Sequence, residues 1–319
     1  MTKFRIAQFN TLAQNCAKTH WFPYSSHYLP NNHPDVLIKG ELDSFDSSLD
    51  WSTRSETLKT EMTSLHADII CLCEVDIPSF FEVEFKKEYD SRYCKRPNNR
   101  TDGCMIMWRK SEWEFIVGSD RIVIFEKTER IAFSLILRNI QSNATVRVCA
   151  THLFWDGTSP LQLEEADILV QFLTSTLSNE SHPIILCGDM NSRRGSSTIA
   201  ILSNILQEAC EAGGLEYLEC TSVVPTFWLK EGSKWKCIPG RRDEIDFVFV
   251  SKDRFKVNSV KAFRIPDDGN DLLTGEYSID IDSEGNPFRT NQLQEGIPNR
   301  FHGSDHLPVV CDLELLQIE

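Results

Sequence analysis

The sequence predicts an α/β fold in which short apolar strands alternate with helices and carry polar residues at their ends. Short apolar runs bounded by turn residues recur along the 319 residues, as is typical of buried strands. Amphipathic patterns predict helices near residues 52–65, 160–177 and 197–210. No internal repeat, low-complexity linker or clear domain boundary interrupts the sequence, so we expect a single domain over residues 1–319.

Composition and charge are those of an ordinary globular protein with an acidic surface. Hydrophobic residues make up 41% and charged residues 25% of the sequence. The net charge of -14 argues against a nucleic-acid coat protein, which needs a basic surface. It does not exclude an enzyme that handles phosphate through a metal ion, because such a site needs its own carboxylates.

The cysteine pattern and the hydropathy predict a cellular compartment. Eleven cysteines occur without a Cys-x-x-Cys pair, as is expected under reducing conditions. No apolar segment has the character of a secretory signal or the length of a membrane span. We therefore expect an intracellular, cytoplasmic protein without a membrane span.

The N-terminal part predicts two strands that end in polar residues. Residues 4–10 alternate and end in Asn10, and the apolar run at residues 67–76 ends in Glu74. A carboxylate in that position is costly unless it is exposed, paired or bound to a cation. Between these strands, residues 19–50 predict a long loop with exposed histidines, and a helix follows, with Asp50 or Ser52 as its N-cap.

The middle of the chain adds a hairpin and a buried strand. Residues 131–137 and 145–151 predict the hairpin, and His152 follows its second strand. Residues 184–187 then run through a glycine into Asp189 and Asn191. Two residues apart on an extended backbone, these side chains point the same way. A carboxylate and a carboxamide are thus expected together at the rim of a sheet, although a simple Asx turn is the alternative.

The C-terminal part supplies the remaining polar groups. Residues 241–250 predict one strand in which Asp246 precedes the apolar part, and residues 266–301 predict an irregular insertion. Asp305 and His306 then lie in a polar turn that leads into the final buried strand.

These polar groups predict convergence on one rim, the alternative being unrelated turn and cap residues. Carboxylate and amide oxygens are the hard ligands that Mg²⁺ prefers, and Asn10, Glu74 and Asp305 carry them. No Cys/His spacing suits zinc. His306 can titrate near neutral pH, and Asp246 could hold its ring in one tautomer.

The same motifs, in this order over residues 4 to about 314, resemble those of the endonuclease/exonuclease/phosphatase superfamily. Within it the chain is similar to the deadenylase, Nocturnin and Angel branch. Two departures concern Cys73, where the family usually has Gln, and Gly157, where deadenylases tend to have Pro. The motifs are Phe9-Asn10-Thr11-Leu12-Ala13, Phe22-Pro23-Tyr24, Trp51 with Arg54, Leu72-Cys73-Glu74-Val75-Asp76, Asp102-Gly103-Cys104, Thr151-His152-Leu153-Phe154-Trp155-Asp156, Cys187-Gly188-Asp189-Met190-Asn191-Ser192, Ile245-Asp246 and Ser304-Asp305-His306.

The resemblance implies a four-layer α/β sandwich of the DNase I-like type, with two packed, mostly antiparallel sheets flanked by helices. It implies hydrolysis of a phosphoester with Mg²⁺, or alternatively Mn²⁺. Glu74 would be the main metal ligand, with Asn10 beside it and Asp305 at a second site.

The resemblance also implies catalytic roles. Asp189 would orient or deprotonate the attacking water. Asn191 and His152 would donate to the phosphoryl oxygens. His306, paired with Asp246, would contact the scissile phosphate or assist proton transfer.

Recognition of the rest of the substrate is predicted from the stretch before Asp246. Phe227 and Trp228 could stack on a base, with core packing as the alternative. Arg241 and Arg242 could bind phosphates away from the metal, although a solvated pair is as good an interpretation.

Three functions remain open at this point. The first is a 3′-to-5′ exoribonuclease acting on RNA 3′ ends. The second is a Nocturnin-like 2′-phosphatase acting on NADP(H) or a related small nucleotide. The third is an inactive nucleotide-binding or RNA-binding module. The chain lacks the leucine-rich repeats with which some deadenylases bind their complex, so no partner of that kind is expected.

Overall fold

The computed structural model describes most of the chain. Its helices are α1 Gln14–Thr19, α2 Trp51–Ser64, α3 Pro78–Glu84, α4 Pro160–Asn179, α5 Ser197–Ser203 and α6 Ala209–Gly213. The described residues are 1–19, 49–179, 182–224, 227–231, 234–238, 241–264, 279–281, 287–289, 297–298 and 302–316.

The strands fall into two large sheets and three small ribbons. Sheet I has six strands in the order β16-β19-β1-β2-β4-β3, and sheet II has the order β10-β15-β9-β8-β7-β5, with β6 also pairing β7. The strands are β1 Thr2–Asn10, β2 Ile69–Cys73, β3 Tyr89–Lys95, β4 Gly103–Arg109, β5 Trp113–Phe115, β6 Arg121–Phe125, β7 Arg130–Asn139, β8 Thr145–His152, β9 Ile184–Asp189, β10 Leu206–Glu208, β11 Ser222–Val224, β12 Phe227–Glu231, β13 Lys234–Ile238, β14 Arg241–Asp243, β15 Asp246–Ser251, β16 Phe255–Ala262, β17 Ile279–Ile281, β18 Pro287–Arg289 and β19 Val309–Leu315.

The two sheets pack face to face between two layers of helices. Strand β2 is apolar throughout because both of its faces are covered: Ile69 joins the core between the sheets, whereas Ile70 packs toward the helices. Leu58 of α2 lies in the outer core of sheet I, and Leu169 of α4 lies in that of sheet II. In these two sheets only β1–β2 and β8–β9 pair in parallel. The predicted four-layer, mostly antiparallel sandwich is confirmed.

Strand register brings the polar strand ends to one edge. In sheet I, Asn10 lies opposite Cys73, the residue before Glu74. In sheet II, Asp189 lies opposite both His152 on one side and Asp246 on the other. The carboxyl ends of parallel strands meet at the same edge of a sheet, so each parallel pair delivers its terminal side chains to the rim.

The predicted helix over residues 197–210 is wrong in its second half. Helix α5 ends at Ser203, and Leu206–Glu208 instead forms β10, which pairs antiparallel with β15 at the edge of sheet II. The Glu208 side chain then accepts hydrogen bonds from the backbone N–H groups of Cys210 and Glu211, which starts α6. Edge pairing with a distant strand overrides the local helical pattern.

The single strand predicted over residues 241–250 is also wrong. Residues 241–243 form β14, which pairs with β11, and a separate strand begins at Asp246 in sheet II. At the break, the Ile245 carbonyl accepts a hydrogen bond from the Met190 N–H. Pairing with two different partner strands therefore divides the predicted strand in two.

Several other predictions concern local features. Asp50 occupies the N-cap position of α2, but its side chain makes no capping bond, and Ser52 lies inside the helix. The ten described cysteines are free. Most of the predicted loop at 19–50 and of the insertion at 266–301 lies outside the described residues, as does the motif Phe22-Pro23-Tyr24. Among the described residues, no helix is both long enough and apolar enough to cross a membrane.

Candidate active site

Glu74 directly follows β2, and its carboxylate accepts hydrogen bonds from the end of β1 and from the segment that follows it. Its Oε1 accepts a hydrogen bond from Asn10 Nδ2 at 3.1 Å, and its Oε2 accepts one from the Ala13 N–H at 3.1 Å. The side chain is 16% exposed. Since a carboxylate offers about four lone-pair directions, Glu74 keeps acceptor capacity toward the site.

The backbone is strained at three points around this carboxylate. Leu12, Glu74 and Asn191 have φ values of 54°, 56° and 48°. Asn tolerates the left-handed region, whereas Leu and Glu rarely adopt it. Such strain persists where the surrounding structure holds it, and it concentrates at functional sites. This strain could not be predicted from the sequence, because neither Leu12 nor Glu74 is a residue type that favours this region.

Asn10 joins the two sheets. Its Nδ2 donates to Glu74 Oε1 and also to Asp189 Oδ2 at 3.0 Å, while its Oδ1 accepts from the Leu12 N–H at 3.0 Å. The amide oxygen is thus turned to the backbone, and the amide nitrogen bridges two carboxylates. In this geometry Asn10 positions the acidic groups, and its role as a metal ligand stays a prediction.

Asp189 lies at the centre of the site and is 1% exposed. Its Oδ1 accepts from the Asn191 N–H at 2.8 Å, and its Oδ2 lies 3.5 Å from His152 Nε2 and 3.7 Å from His306 Nε2. Burial and the Asp246 carboxylate raise the pKa of Asp189 to about 7, although His306 opposes the shift. A carboxyl group in this range can exchange a proton near neutral pH.

His306 and Asp246 form the predicted pair. His306 Nδ1 lies 2.7 Å from Asp246 Oδ2, and Gln8 Nε2 donates to Asp246 Oδ1 at 3.2 Å. Burial lowers the pKa of His306, but the Asp246 and Asp189 carboxylates outweigh it, so this pKa lies well above the ordinary value. His306 is therefore a cation with one N–H directed at Asp246 and the other toward Asp189.

His152 is held as a neutral ring by Asn191. Asn191 Nδ2 donates to the Leu153 carbonyl at 3.0 Å and lies 3.0 Å from His152 Nε2. A carbonyl can only accept, so the amide nitrogen must face both groups, and Nε2 is the acceptor. Burial and Arg130 lower the pKa of His152 well below its ordinary value.

The proton of this neutral ring therefore sits on Nδ1, which is buried and has no partner among the described residues. Glu74 Oε1 is 3.9 Å away. Among the described residues His152 is thus a donor without an acceptor, and its contact with a phosphoryl oxygen stays a prediction. Asn191 uses both amide protons on protein atoms, so its own contact with phosphate stays a prediction.

Asp305 stands on the turn that carries His306. It is partly buried, and Ser304 Oγ lies 3.5 Å from its Oδ1. Arg54 of α2 holds the same turn by donating from Nη1 to the Gly303 carbonyl at 2.9 Å and to the Thr11 carbonyl at 2.8 Å. The turn is fixed, and a second metal ligand at Asp305 remains a prediction.

Sequence reasoning missed Gln8 and the placement of Cys73. Gln8 lies two residues before Asn10, and its carboxamide contacts both Asp246 and the Cys73 thiol, with 3.6 Å from Nε2 to Sγ. Cys73 Sγ also donates to the Thr151 carbonyl at 3.1 Å. The alternation of β1 could have identified Gln8, since residues i and i+2 share one face. Cys73 packs inside the sandwich behind the rim.

The presence of glycine at position 157 has a steric explanation. A Cβ atom at this position would lie 2.7 Å from the Asn191 carbonyl oxygen, so the loop after β8 packs directly on the backbone of the site. The neighbouring Trp155 is 67% exposed. This loop brings a large exposed aromatic residue near the rim, which the sequence analysis did not single out as a contact residue.

The predicted substrate-binding residues are only partly described. The side chains of Phe227, Trp228 and Arg241 lie outside the described part of the structure. Strand β12 pairs with β13 in a ribbon apart from the two large sheets. Arg242 is exposed, and its Nη1 lies 3.7 Å from Glu219 Oε1.

Two sets of groups could hold a cation. Glu74 fits a hard divalent ion, because its carboxylate is accessible and has spare acceptor capacity. Ligand atoms of Asp189, Asp246 and His306 also lie within 4.8 Å of one another. We favour Glu74, since a protonated His306 already bound to Asp246 has no lone pair to offer. The rim therefore contains carboxylates that could hold a divalent ion.

Known proteins are similar in sequence to this chain over almost its whole length. In Saccharomyces cerevisiae, Ccr4, the 3′-5′-exoribonuclease subunit of the CCR4-Not complex, is 22% identical over 366 residues, covering 98% of this chain and 39% of the relative. Carbon catabolite repressor protein 4 homolog 4 of Arabidopsis thaliana is 23% identical over 372 residues, covering 98% of this chain and 78% of the relative. The chain spans about two fifths of the length of the yeast relative.

Solved structures share the fold. The human Nocturnin catalytic domain with bound sulfate aligns with a TM-score of 0.64 at 18% identity, covering 98% of this chain and 94% of that one. ANGEL2, a 2′,3′-cyclic phosphatase in complex with adenosine-2′,3′-vanadate, aligns with a TM-score of 0.65 at 16% identity, covering 98% of this chain and 96% of that one. The predicted resemblance to the deadenylase, Nocturnin and Angel branch is confirmed.

The family model described as the endonuclease/exonuclease/phosphatase family matches residues 7–306. The matched range includes the motifs whose polar residues lie together at the rim. The prediction of a hydrolase is confirmed, and the chain belongs to the endonuclease/exonuclease/phosphatase family.

Proposed function

We propose that this protein is a Mg²⁺-dependent phosphoesterase acting as a 3′-to-5′ exoribonuclease on RNA 3′ ends. The observation that carries the proposal is Asp189, a buried carboxyl group whose Oδ2 accepts a hydrogen bond from Asn10 at 3.0 Å and lies 3.5 Å from His152 Nε2 and 3.7 Å from His306 Nε2. Similarity to Ccr4 over 98% of the chain supports the choice of reaction.

Glu74, Asn10 and Asp305 would hold the metal ion. The ion would neutralise charge that develops on the phosphoryl oxygens. Asn10 keeps Glu74 and Asp189 at fixed positions by donating to both carboxylates. The rigid turns on either side of Glu74 reduce the reorganisation that binding requires.

Asp189 would accept a proton from the attacking water, because its pKa suits proton exchange near neutral pH. His152 would donate its Nδ1–H to a phosphoryl oxygen, and Asn191 fixes its ring for this purpose. His306, kept protonated by Asp246, would stabilise the developing charge or deliver a proton to the leaving group.

Beyond the phosphate, we propose that Phe227 and Trp228 stack on the base and that Arg241 and Arg242 contact phosphates. Stacking of a base on an aromatic ring is worth about 1–3 kcal/mol. Arg242 is exposed, so it is accessible to a substrate.

A second candidate is a 2′-phosphatase acting on NADP(H) or a related nucleotide. Exposed arginines near the rim face carboxylates: Arg193 Nη2 lies 2.5 Å from Asp243 Oδ1, and Arg242 lies 3.7 Å from Glu219. Paired cations release few counterions when a polyanion binds. Together with the net charge of -14, this favours a small substrate over a long RNA chain.

One assay separates the candidates. Purified protein with Mg²⁺ is incubated in parallel with labelled oligo(A) and with NADPH, and Glu74→Ala serves as the control for contaminating activity. Stepwise shortening of oligo(A) from its 3′ end supports the exoribonuclease, and release of inorganic phosphate from NADPH supports the phosphatase. Inertness toward both substrates would contradict the two candidates and favour a binding module.

A further inference from the structure

Arg130 is a buried cation that has no anionic partner among the residues that the structure describes. It begins β7, and β7 pairs with β8 so that Ala132 lies opposite Thr151, which brings Arg130 beside the strand end that carries His152. Arg130 is 8% exposed. Its guanidinium makes one hydrogen bond within the described structure, from Nη1 to the His152 carbonyl at 3.3 Å.

The nearby charged groups are already occupied. Arg96 donates from Nη1 to both oxygens of Asp102 at 3.1 and 3.2 Å and from Nε to the Glu129 carbonyl at 2.9 Å. Glu165 accepts from Thr128 Oγ1 and from the Phe154 N–H, and it makes no ion pair with Arg130 in the described part of the chain.

A different buried arginine shows what a structural role requires. Arg54, which is 1% exposed, donates to Gln14 Oε1, to the Thr11 carbonyl and to the Gly303 carbonyl at 2.8–2.9 Å. A buried cation is costly unless its donors are satisfied. Arg54 makes three hydrogen bonds to the protein within the described structure, whereas Arg130 makes one.

A second unpartnered donor lies beside Arg130. The Nδ1–H of His152 is buried and has no acceptor among the described residues, and Arg130 is the strongest charge acting on that ring. The Arg130 guanidinium donates to the backbone carbonyl of the residue that carries this ring, His152, at 3.3 Å. A buried neutral donor and a buried cation therefore lie at one strand end, and among the described residues neither has a carboxylate within hydrogen-bond distance.

We infer that Arg130 and His152 together form a phosphate-binding subsite, in which Arg130 donates to a non-bridging oxygen of the substrate phosphate. This inference rests on the proposed function and adds a substrate-binding residue to it. A guanidinium suits the purpose because its planar set of donors matches the oxygens of a phosphate.

The test measures binding of inorganic phosphate, which cannot be turned over, by titration calorimetry in the presence of Mg²⁺. Arg130→Gln should weaken phosphate binding about 10-fold or more, as expected for a lost bond to a charged group, and Arg130→Lys should weaken it less. Arg138→Gln is the matched control, because Arg138 lies on the same strand in an exposed ion pair with Glu114. It should bind phosphate like wild type.

Thermal unfolding without phosphate distinguishes a binding role from a structural one. Arg130→Gln should keep or raise the melting temperature, since it removes an unpaired buried cation, whereas Arg54→Gln should lower it. Unchanged phosphate affinity in Arg130→Gln would overturn the inference. So would a failure of Arg130→Gln to fold or a melting temperature as low as that of Arg54→Gln, because either result would make Arg130 structural.

The same data keep this inference apart from the proposed function. Phosphate binding that depends on Arg130, in a protein that acts on neither oligo(A) nor NADPH, would contradict the function and leave the subsite standing. Full activity on oligo(A) or NADPH, together with a phosphate affinity that Arg130→Gln leaves unchanged, would support the function and overturn the subsite.

Discussion

Two regions of this molecule bury charged groups and treat them differently. The first, the α2 clamp, consists of Arg54, Leu58 and Glu61 packed against residues 302–303. Glu61 is fully buried, lies 2.8 Å from His302 Nδ1 and accepts from the Gly303 N–H at 3.3 Å. A Cβ atom on Gly303 would lie 2.6 Å from Leu58 Cγ, so the contact is tight.

The second region is the catalytic rim of Asn10, Glu74, His152, Asp189 and His306. It holds a donor without a partner, a carboxyl group of raised pKa and left-handed backbone at Glu74.

Satisfied buried charges fix a structure, whereas unsatisfied ones carry a cost that a substrate can offset. The clamp orients the turn that carries His306, and in the rim the Nδ1–H of His152 has no acceptor among the described residues. Substitutions in the clamp should therefore act mainly on stability, and substitutions in the rim mainly on turnover.

The largest expected effect is that of Glu74→Ala on turnover. Removal of the metal carboxylate should lower kcat by roughly 10³-fold or more, while the melting temperature stays near that of wild type. Steady-state kinetics at saturating Mg²⁺ and thermal unfolding measure the two quantities. Glu56→Ala, on the exposed side of α2, is the control. Near wild-type turnover in Glu74→Ala would remove Glu74 from the metal site.

His306→Ala should lower kcat by about 10²–10⁴-fold, as for loss of a group that handles a proton or a developing charge. The wild-type rate should fall as the pH drops below about 7, because Asp189 becomes protonated and can no longer accept a proton. His306 does not cause this decline, since its raised pKa keeps it charged throughout that range. An unchanged kcat in His306→Ala would contradict the first prediction, and a wild-type pH–rate profile without a decline below about pH 7 would contradict the second.

Glu61→Ala should lower the free energy of unfolding rather than turnover. Breaking a buried pair by removing one partner costs about 3–5 kcal/mol of unfolding free energy, and His302 and the Gly303 N–H would lose their acceptor. Denaturant unfolding measures the loss. A variant that unfolds like wild type yet has lost turnover would show that the clamp belongs to the catalytic machinery.

Glu61→Gln gives a smaller, pH-dependent effect. Burial raises the pKa of Glu61, although His302 opposes the shift. The stabilising contribution of the protonated form is complete below the unfolded-state pKa and is lost as the pH rises through the folded-state pKa. At pH values between the unfolded-state and the folded-state pKa of Glu61, wild type should lose stability relative to Glu61→Gln by up to about 1.4 kcal/mol per pH unit. A constant difference across the window would contradict the raised pKa.

The smallest expected effect is that of Arg242→Ala, an exposed residue outside both regions. It should raise KM for a nucleotide substrate a few-fold with little change in kcat, since an exposed contact acts on the ground and transition states alike. Hydrolysis of a small base-free phosphodiester is the control and should be unaffected. Equal losses on both substrates would show that Arg242 supports the fold or the metal site instead.

The sequence alone predicted the polar ends of the strands well. Asn10, Glu74, His152, Asp189 and Asp246 stand at strand ends because an apolar run stops where a strand leaves the core, and that boundary is visible residue by residue. The α5 region was predicted less well, because Leu206 and Gln207 fit a helical pattern as readily as an edge strand.

What the sequence determined was the set of residues at the rim, since their identities and the order of the motifs are local properties. Tertiary structure decided how they interact. Asn10 bridges two carboxylates, Asn191 sets the tautomer of His152, and Arg130 has no anionic partner in the described part of the chain. These features depend on contacts between residues far apart in the chain, such as Asn10 and Asp189, and on burial, which sets the pKa of each group. Neither follows from the local pattern of the sequence, because both arise only when the two sheets pack.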